Sequence, residues 1–324
     1  MRLEAVVYEH AAALLGRVPW DVSRDAELLF AGHAAALERY AAGAAVAGID
    51  VYNLEPEAYG AAAQPPSGHE VPALAGPILG DAAALLQLPA IDVGRGRLPM
   101  TLAVGRRLAR AFPGVEVMAP VCGPLTLAAQ LAGLEAALTE AVLEPGAMAD
   151  RLRHVEEATA PYLHAVAEAG LRPVVFESAA APPMLSPELF ARVVGPALRQ
   201  RLGRITTLDG RGAVLVIGGD TLPLLPALAD MAPARLIAPA ETDQPAFVAA
   251  LAAYPAIECR VNMRPGVFTA GDDRAVAAEL ERVTRAAAGR PRTWLGTGVL
   301  PYDAQPALVT SALRAAAGGA GHLP

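Results

Sequence analysis

Short apolar runs rich in Val and Ile recur along the chain, and between them apolar residues return at helical spacing. The runs at 115–121, 174–176, 213–217, 236–238, 257–262 and 293–295 read as strands buried on both faces. The segments near 125–142, 147–169, 187–204, 222–230, 244–253, 273–288 and 305–317 read as helices. Upstream, 3–15 is expected to be a helix, ended by Gly16 and the Pro19-Trp20 turn. A second helix starts near Asp25, carries Leu28, Leu29, Leu37 and Tyr40 at helical spacing, and stops at Gly43. A further strand at 49–54 runs into the turn Glu55-Pro56-Glu57, and residues 62–80 form a long loop containing His69. The remaining strand is expected within 70–92. Strands alternating with helices in this way predict an α/β fold, a (β/α)8 TIM barrel. No linker or composition break divides the chain, so one domain is expected over 1–324, with a helical N-terminal extension over 1–48.

Composition narrows the function classes. Apolar residues make up 54% of the 324 positions and charged residues 18%, which suits a large buried core and argues against disorder. No apolar run is long enough to span a bilayer, and the acidic residues in M-R-L-E-A-V-V-Y-E-H do not suit a secretory signal, so a cytoplasmic protein without a membrane role is expected. A net charge of −7 without a basic stripe leaves no expected role for nucleic acid. All 26 basic residues are arginine. Lysine chemistry, whether a Schiff base or a Walker-type phosphate contact, is therefore excluded. The two cysteines, Cys122 and Cys259, show no paired metal-binding spacing.

In barrels of this kind the site forms at the C-terminal ends of the strands. The positions there are Asn53, Glu55 and Glu57; Cys122; Glu177; Asp220; Glu241; Asn262 and Arg264; and Thr297, Tyr302 and Asp303. Carboxylates converging on one mouth would need a cation, a proton or an arginine. Glu177 ends an apolar strand and is either a metal ligand or substrate acceptor, or a carboxylate that braces a helix start. Glu55 and Glu57 would face the same side of an extended chain, unless one of them faces solvent. Cys122 precedes a helix start, which lowers a thiol's pKa and suits a nucleophile or soft ligand; the other reading is a small core residue. Of the histidines, His10, His33, His154 and His164 fall on predicted helices and His322 in a Gly-rich tail, leaving His69 as the one able to reach the mouth. The Gly-rich pieces at 94–97 and 296–298 lack the strand–turn–helix setting of a dinucleotide site.

G-P-L-T-L-A at 123–128, followed by E-S at 177–178 and L-S-P-E-L-F at 185–190, resembles the uroporphyrinogen decarboxylase superfamily. Its members include porphyrinogen decarboxylases and zinc-dependent methyltransferases that serve corrinoid proteins and thiols. V-A-G-I-D-V-Y-N-L-E-P-E-A-Y-G at 46–60, R-V-N-M-R-P-G-V-F-T-A-G at 260–271 and L-G-T-G-V-L-P-Y-D-A-Q-P at 295–306 extend the resemblance over 8–313. Two departures stand out. The decarboxylases hold substrate carboxylates with arginines of an M-R-Q-A-G-R segment, where this chain reads G-R-V-P-W-D-V-S-R-D and keeps Arg17 and Arg24. The methyltransferases bind zinc through H-x-C and a later cysteine, where this chain has Val216-Ile217-Gly218 and Val299.

The resemblance therefore implies a divergent member nearer the methyltransferase branch, acting on a methylated or corrinoid-related small molecule. Glu177, Cys122 and Asp220 are its candidate catalytic residues. Asn53, Glu55, Glu57, Asn262, Arg264, Tyr302 and Asp303 are its candidate substrate-binding residues. A divalent metal on the carboxylate oxygens of Glu55, Glu57 and Glu177, assisted by His69 or Cys122, would replace the zinc. The expected partners are the substrate, a corrinoid protein and a second copy of the chain in a homodimer. Two alternatives stay open: a carboxy-lyase on a porphyrinogen or other polyacid, using Arg17, Arg24, Arg95, Arg97 and Arg264, and a non-catalytic barrel that binds a cobamide or a partner.

Overall fold

The computed structural model describes residues 1–318. In chain order its strands are β1 (Leu3–Val7), β2 (Ala44–Val46), β3 (Ala63–Gln64), β4 (Ala73–Leu74), β5 (Glu116–Cys122), β6 (Arg172–Phe176), β7 (Val214–Val216), β8 (Arg235–Ala238), β9 (Glu258–Asn262) and β10 (Thr293–Leu300). β3 and β4 pair antiparallel as a small hairpin. The other eight form one parallel sheet in the order β1-β10-β9-β8-β7-β6-β5-β2. With the helices between them they make a nearly closed (β/α)8 barrel. β1 and β2 face each other across the closure without a hydrogen-bonded ladder.

Side-chain alternation along these strands divides the apolar residues into two cores. Val175, Leu215, Leu236, Cys259 and Val261 point outward and pack beneath the helices. Val6, Val46, Met118, Val174, Phe176, Val214 and Ile237 point inward and fill the barrel. Each fully buried side chain of this type contributes about 1.5–3 kcal/mol. The N-terminal ends of the strands carry a different chemistry. Glu116, Arg172, Arg235 and Glu258 each open a strand and are joined in a ladder of ion pairs, 2.7 Å for Arg172–Glu116 and 3.0 Å for Arg235–Glu258. Arg235 also covers the ring of Trp294 at 4.4 Å. One end of the barrel is thus sealed by fixed charge, and the other is left for a ligand.

The N-terminal segment departs from the helix expected over 3–15. Residues Leu3–Val7 are a strand that pairs with β10, Leu3 opposite Leu295 and Val7 opposite Leu300. Helices follow at His10–Leu14, Pro19–Arg24 and Ala26–Tyr40. The expected eighth strand within 70–92 is replaced by β1, and that region holds only β4 and a short 3-10 turn. The strand expected at 49–54 lies earlier, at β2, and Leu54–Ala58 is a helix. No single helix among the described residues is long and apolar enough to cross a membrane. His322 lies outside the described residues.

Candidate functional site

At the C-terminal end of the strands the inward positions open into a cavity of about 720 Å³, within the range that takes a drug-sized ligand. Its floor is set by alternation. Val6, Phe176, Val216, Arg260 and Asn262 are inward residues of β1, β6, β7 and β9, and Val299 completes the wall from β10. Tyr52 and Asn53 come from the turn after β2, Gln130 from the helix Pro124–Ala132, and residues 71–77 close one side as a loop. The wall is mostly apolar. The ionisable and polar groups on it are Tyr8, Glu9, Tyr52, Asn53, Gln130, Arg260 and Asn262.

Glu9 directly follows Tyr8 just past β1, and among the described residues its carboxyl group makes no ion pair or hydrogen bond with another residue. Burial pushes its pKa above the ordinary glutamate value, with a hydrogen bond to its own backbone opposing. Burial also pushes the Tyr8 and Tyr52 hydroxyls up. Tyr52 is hydrogen-bonded to Ser178 at 2.7 Å. Asn53 donates to Asp50 at 3.0 Å and to the carbonyl of Pro72 at 2.7 Å, tying the loop to the barrel. Asn262 accepts from Arg260 Nε at 3.2 Å.

The expected acids do not converge on this cavity. Glu55 and Glu57 lie on the helix Leu54–Ala58 rather than an extended turn, so a spacing of two separates them by about 200°. Glu57 turns to Arg97 at 2.6 Å and Arg24 at 3.0 Å, in a cluster where Arg97 also grips Asp50 with two bonds of 2.7 Å. Glu55 is fully buried. One of its oxygens accepts from the backbone N–H of Cys122 at 2.6 Å and the other has no partner, and burial raises its pKa. Asp220, Glu241 and Asp303 are exposed. Asp220 accepts from the Thr242 hydroxyl at 2.7 Å. Arg264 is exposed and paired with Glu279 at 3.5 Å. His69 stacks on Tyr302 with ring centroids 4.2 Å apart, and neither lines the cavity.

Glu177 corrects the strongest expectation. It follows the inward Phe176 and so points outward, where its carboxylate accepts from the backbone N–H groups of Leu125 at 3.1 Å and Thr126 at 2.8 Å, and from the Thr126 hydroxyl at 2.7 Å. These are unpaired donors of the helix Pro124–Ala132, so Glu177 braces that helix start rather than facing a ligand. Burial raises its pKa against these bonds. Gly123 is the space it needs, because a Cβ there would lie 2.4 Å from a Glu177 oxygen. Gly123→Ala is expected to cost about 1–3 kcal/mol. An unchanged urea midpoint would count against the bracing account.

Cys122 lies at the same helix start, yet its thiol is fully buried and its pKa is pushed up by burial and the neighbouring Glu55, the reverse of the activation expected. Cys259 is likewise buried and pushed up to about 12. The oxygen-ligand metal set fails on position. Glu55 and Glu177 accept from the backbone around the helix start at 122–126, Glu57 turns to Arg97 and Arg24, and His69 stacks on Tyr302; no group of three or more His, Cys, Asp or Glu side chains among the described residues is arranged to hold a metal.

Glu9, Arg260, Tyr8, Tyr52 and Gln130 were not among the sequence candidates. Reading 3–15 as a helix hid the end of a strand. The run Leu3-Glu4-Ala5-Val6-Val7-Tyr8, followed by an acid, was the available signal. Arg260 lies within its strand rather than after it, and only the parity with Asn262 marks it as inward.

The uroporphyrinogen decarboxylase (URO-D) family profile matches residues 6–314. The chain belongs to that family. Among solved structures it is similar to a methyltransferase from Methanosarcina mazei, at 18% identity over 98% of this chain and 94% of that one, with a TM-score of 0.80. That likeness is one of fold. Comparison with curated proteins gave no match.

The zinc of the family's methyltransferase branch does not fit here. Val216 and Val299, at the positions that correspond to ligands, line the cavity with methyl groups, and Gly218 offers no donor side chain. Protein purified in zinc-containing buffer is expected to carry substoichiometric zinc by mass spectrometry, and stripping with a chelator should leave its melting temperature unchanged. A full equivalent of cysteine-bound zinc would overturn this.

Proposed function

We propose that this family member transfers a methyl group from a small, largely apolar molecule seated in the barrel cavity, with Glu9 as the acid that protonates the departing heteroatom. One observation carries the reading: a carboxyl group without an ion-pair partner, its pKa raised by burial, on a wall where Val216 and Val299 leave no metal donor. A methyl–oxygen or methyl–nitrogen bond breaks more easily when the heteroatom keeping the electron pair receives a proton, and a raised pKa keeps that proton available. The methyl carbon passes to a nucleophile from outside the chain, for which we assign a corrinoid carried by a partner protein. A whole corrinoid is far larger than a drug-sized ligand and would have to be presented at the cavity mouth.

The test is incubation with methoxyaromatic and methylamine compounds and a reduced corrinoid, following methyl transfer with an isotopic label. Label appearing on the corrinoid, with the demethylated product in equal amount, supports the reading; label retained by every compound overturns it. Arg260 inside the cavity favours a second reading, a carboxy-lyase acting on an acid with a single carboxylate, which carbon dioxide release would reveal. A porphyrinogen polyacid is disfavoured, because none of Arg17, Arg24, Arg95, Arg97 and Arg264 lines the cavity.

A further inference from the structure

We propose that the ligand of this cavity carries one carboxylate, anchored by Arg260 with Asn262 beside it. This names the substrate class of the site described above; it rests on that placement of the site and not on the methyl chemistry.

Arg260 is 8% exposed and lines the cavity. A guanidinium has five N–H donors, and among the described residues only Nε makes a hydrogen bond, to Asn262 Oδ1. Its nearest carboxylate is Glu4, whose Oε2 is 3.9 Å from Nη1, too far for a hydrogen bond, and is already engaged by Trp294 Nε1 at 2.9 Å. Nη1 is thus ion-paired with Glu4 at 3.9 Å, but among the described residues neither Nη group makes a hydrogen bond. These donors are therefore open to a ligand that enters the cavity.

The neighbouring strand is built around this side chain. A Cβ on Gly296 would come within 2.4 Å of Asn262 Oδ1, 2.9 Å of Arg260 Cδ and 3.0 Å of Arg260 Nε. Glycine on β10 thus leaves the lane in which the guanidinium lies, and the Nε bond to Asn262 fixes its plane. With Oδ1 of Asn262 occupied, its amide N–H group is the donor left to a ligand. Two Nη groups and one amide match the two oxygens of a carboxylate. One guanidinium, partly offset by Glu4 at 3.9 Å, suits a monoanion better than a phosphate dianion. Glu9 is compatible with the match: burial shifts its carboxyl toward the neutral form, which lessens repulsion of an anion.

Calorimetric titration of the intact protein with benzoate, benzamide and phenylphosphonate tests this without any assay of turnover. Benzoate is expected to bind about 10–100-fold more tightly than benzamide, the range a charge-assisted pair provides. Arg260→Met should abolish that preference, weakening benzoate much more than benzamide. Gly296→Ala, which displaces the guanidinium without removing it, should reduce the preference as well. Should either variant fail to fold, the wild-type comparison still decides. Equal binding of benzoate and benzamide by the wild type overturns the anchor, and so does tighter binding of phenylphosphonate than of benzoate. Benzoate preference without methyl transfer to any acceptor keeps the anchor and rejects the reaction proposed above.

Discussion

Replacing Arg201 by methionine is expected to destabilise the protein by about 3–5 kcal/mol, the cost of breaking a buried ion pair by removing one partner. Arg201 is fully buried. Its Nε donates to Glu156 at 2.5 Å, and its two Nη groups donate to the carbonyl of Cys122 and the hydroxyl of Thr159. It is also the positive charge that lowers the pKa values of the buried Glu55 and Glu177, against the larger effect of burial. Methionine fills similar space but leaves these carboxyl groups without their cation. The loss should grow with pH. Both glutamates have folded pKa values above their unfolded ones, so the stability they contribute is complete below the ordinary glutamate range and is lost as pH rises through the raised folded values. Without Arg201 those values rise further, and each ionisation costs more. Urea unfolding at several pH values measures both effects. A variant within ~1 kcal/mol of wild type at neutral pH, where surface substitutions fall, would show that the network is dispensable.

Glu9→Gln is expected to lower kcat by about 10²–10⁴-fold, the range for loss of a positioned acid. Glutamine keeps the size and the polarity and removes only the proton, so binding of benzoate or of the methylated substrate should change little. In the wild type, activity should fall as pH rises through the raised Glu9 value, because the protonated form is the active one. The residual activity of the variant should lose that dependence. A variant that retains both full kcat and the basic limb of the profile would assign the acid to another group.

Much of the barrel was legible because its strands are buried on both faces. The run expected at 174–176, set between helical segments, reads as a central strand, and every position of Arg172–Phe176 is buried. β1 was not legible, because its run Leu3-Glu4-Ala5-Val6-Val7 leads into His10–Leu14, three of whose five residues are alanine, and the apolar spacing continues across the junction. That error propagated to the site. Glu9 fell inside the expected helix instead of at the junction between a strand and the helix it caps. Glu177 and Cys122 failed for another reason. The residue just after a buried strand can turn either way, and sequence does not say whether a carboxylate there meets a ligand or an unpaired helix start. Asn53 and Asn262 do line the cavity, Asn262 as the inward residue that ends β9 and Asn53 from the turn after β2.

β1 draws its ladder from β10 alone, and this has a consequence for synthesis. Residues 3–7 leave the ribosome long before residues 293–300 exist to receive them. The entropic cost of closing so long a loop grows only slowly with its length, yet no native contact compensates for it until the distant strand arrives. In the interval the β1 segment is an unpaired apolar strand, open to wrong partners and to chaperones. Glu9, translated long before β10, reaches the cavity wall only once that strand has been made.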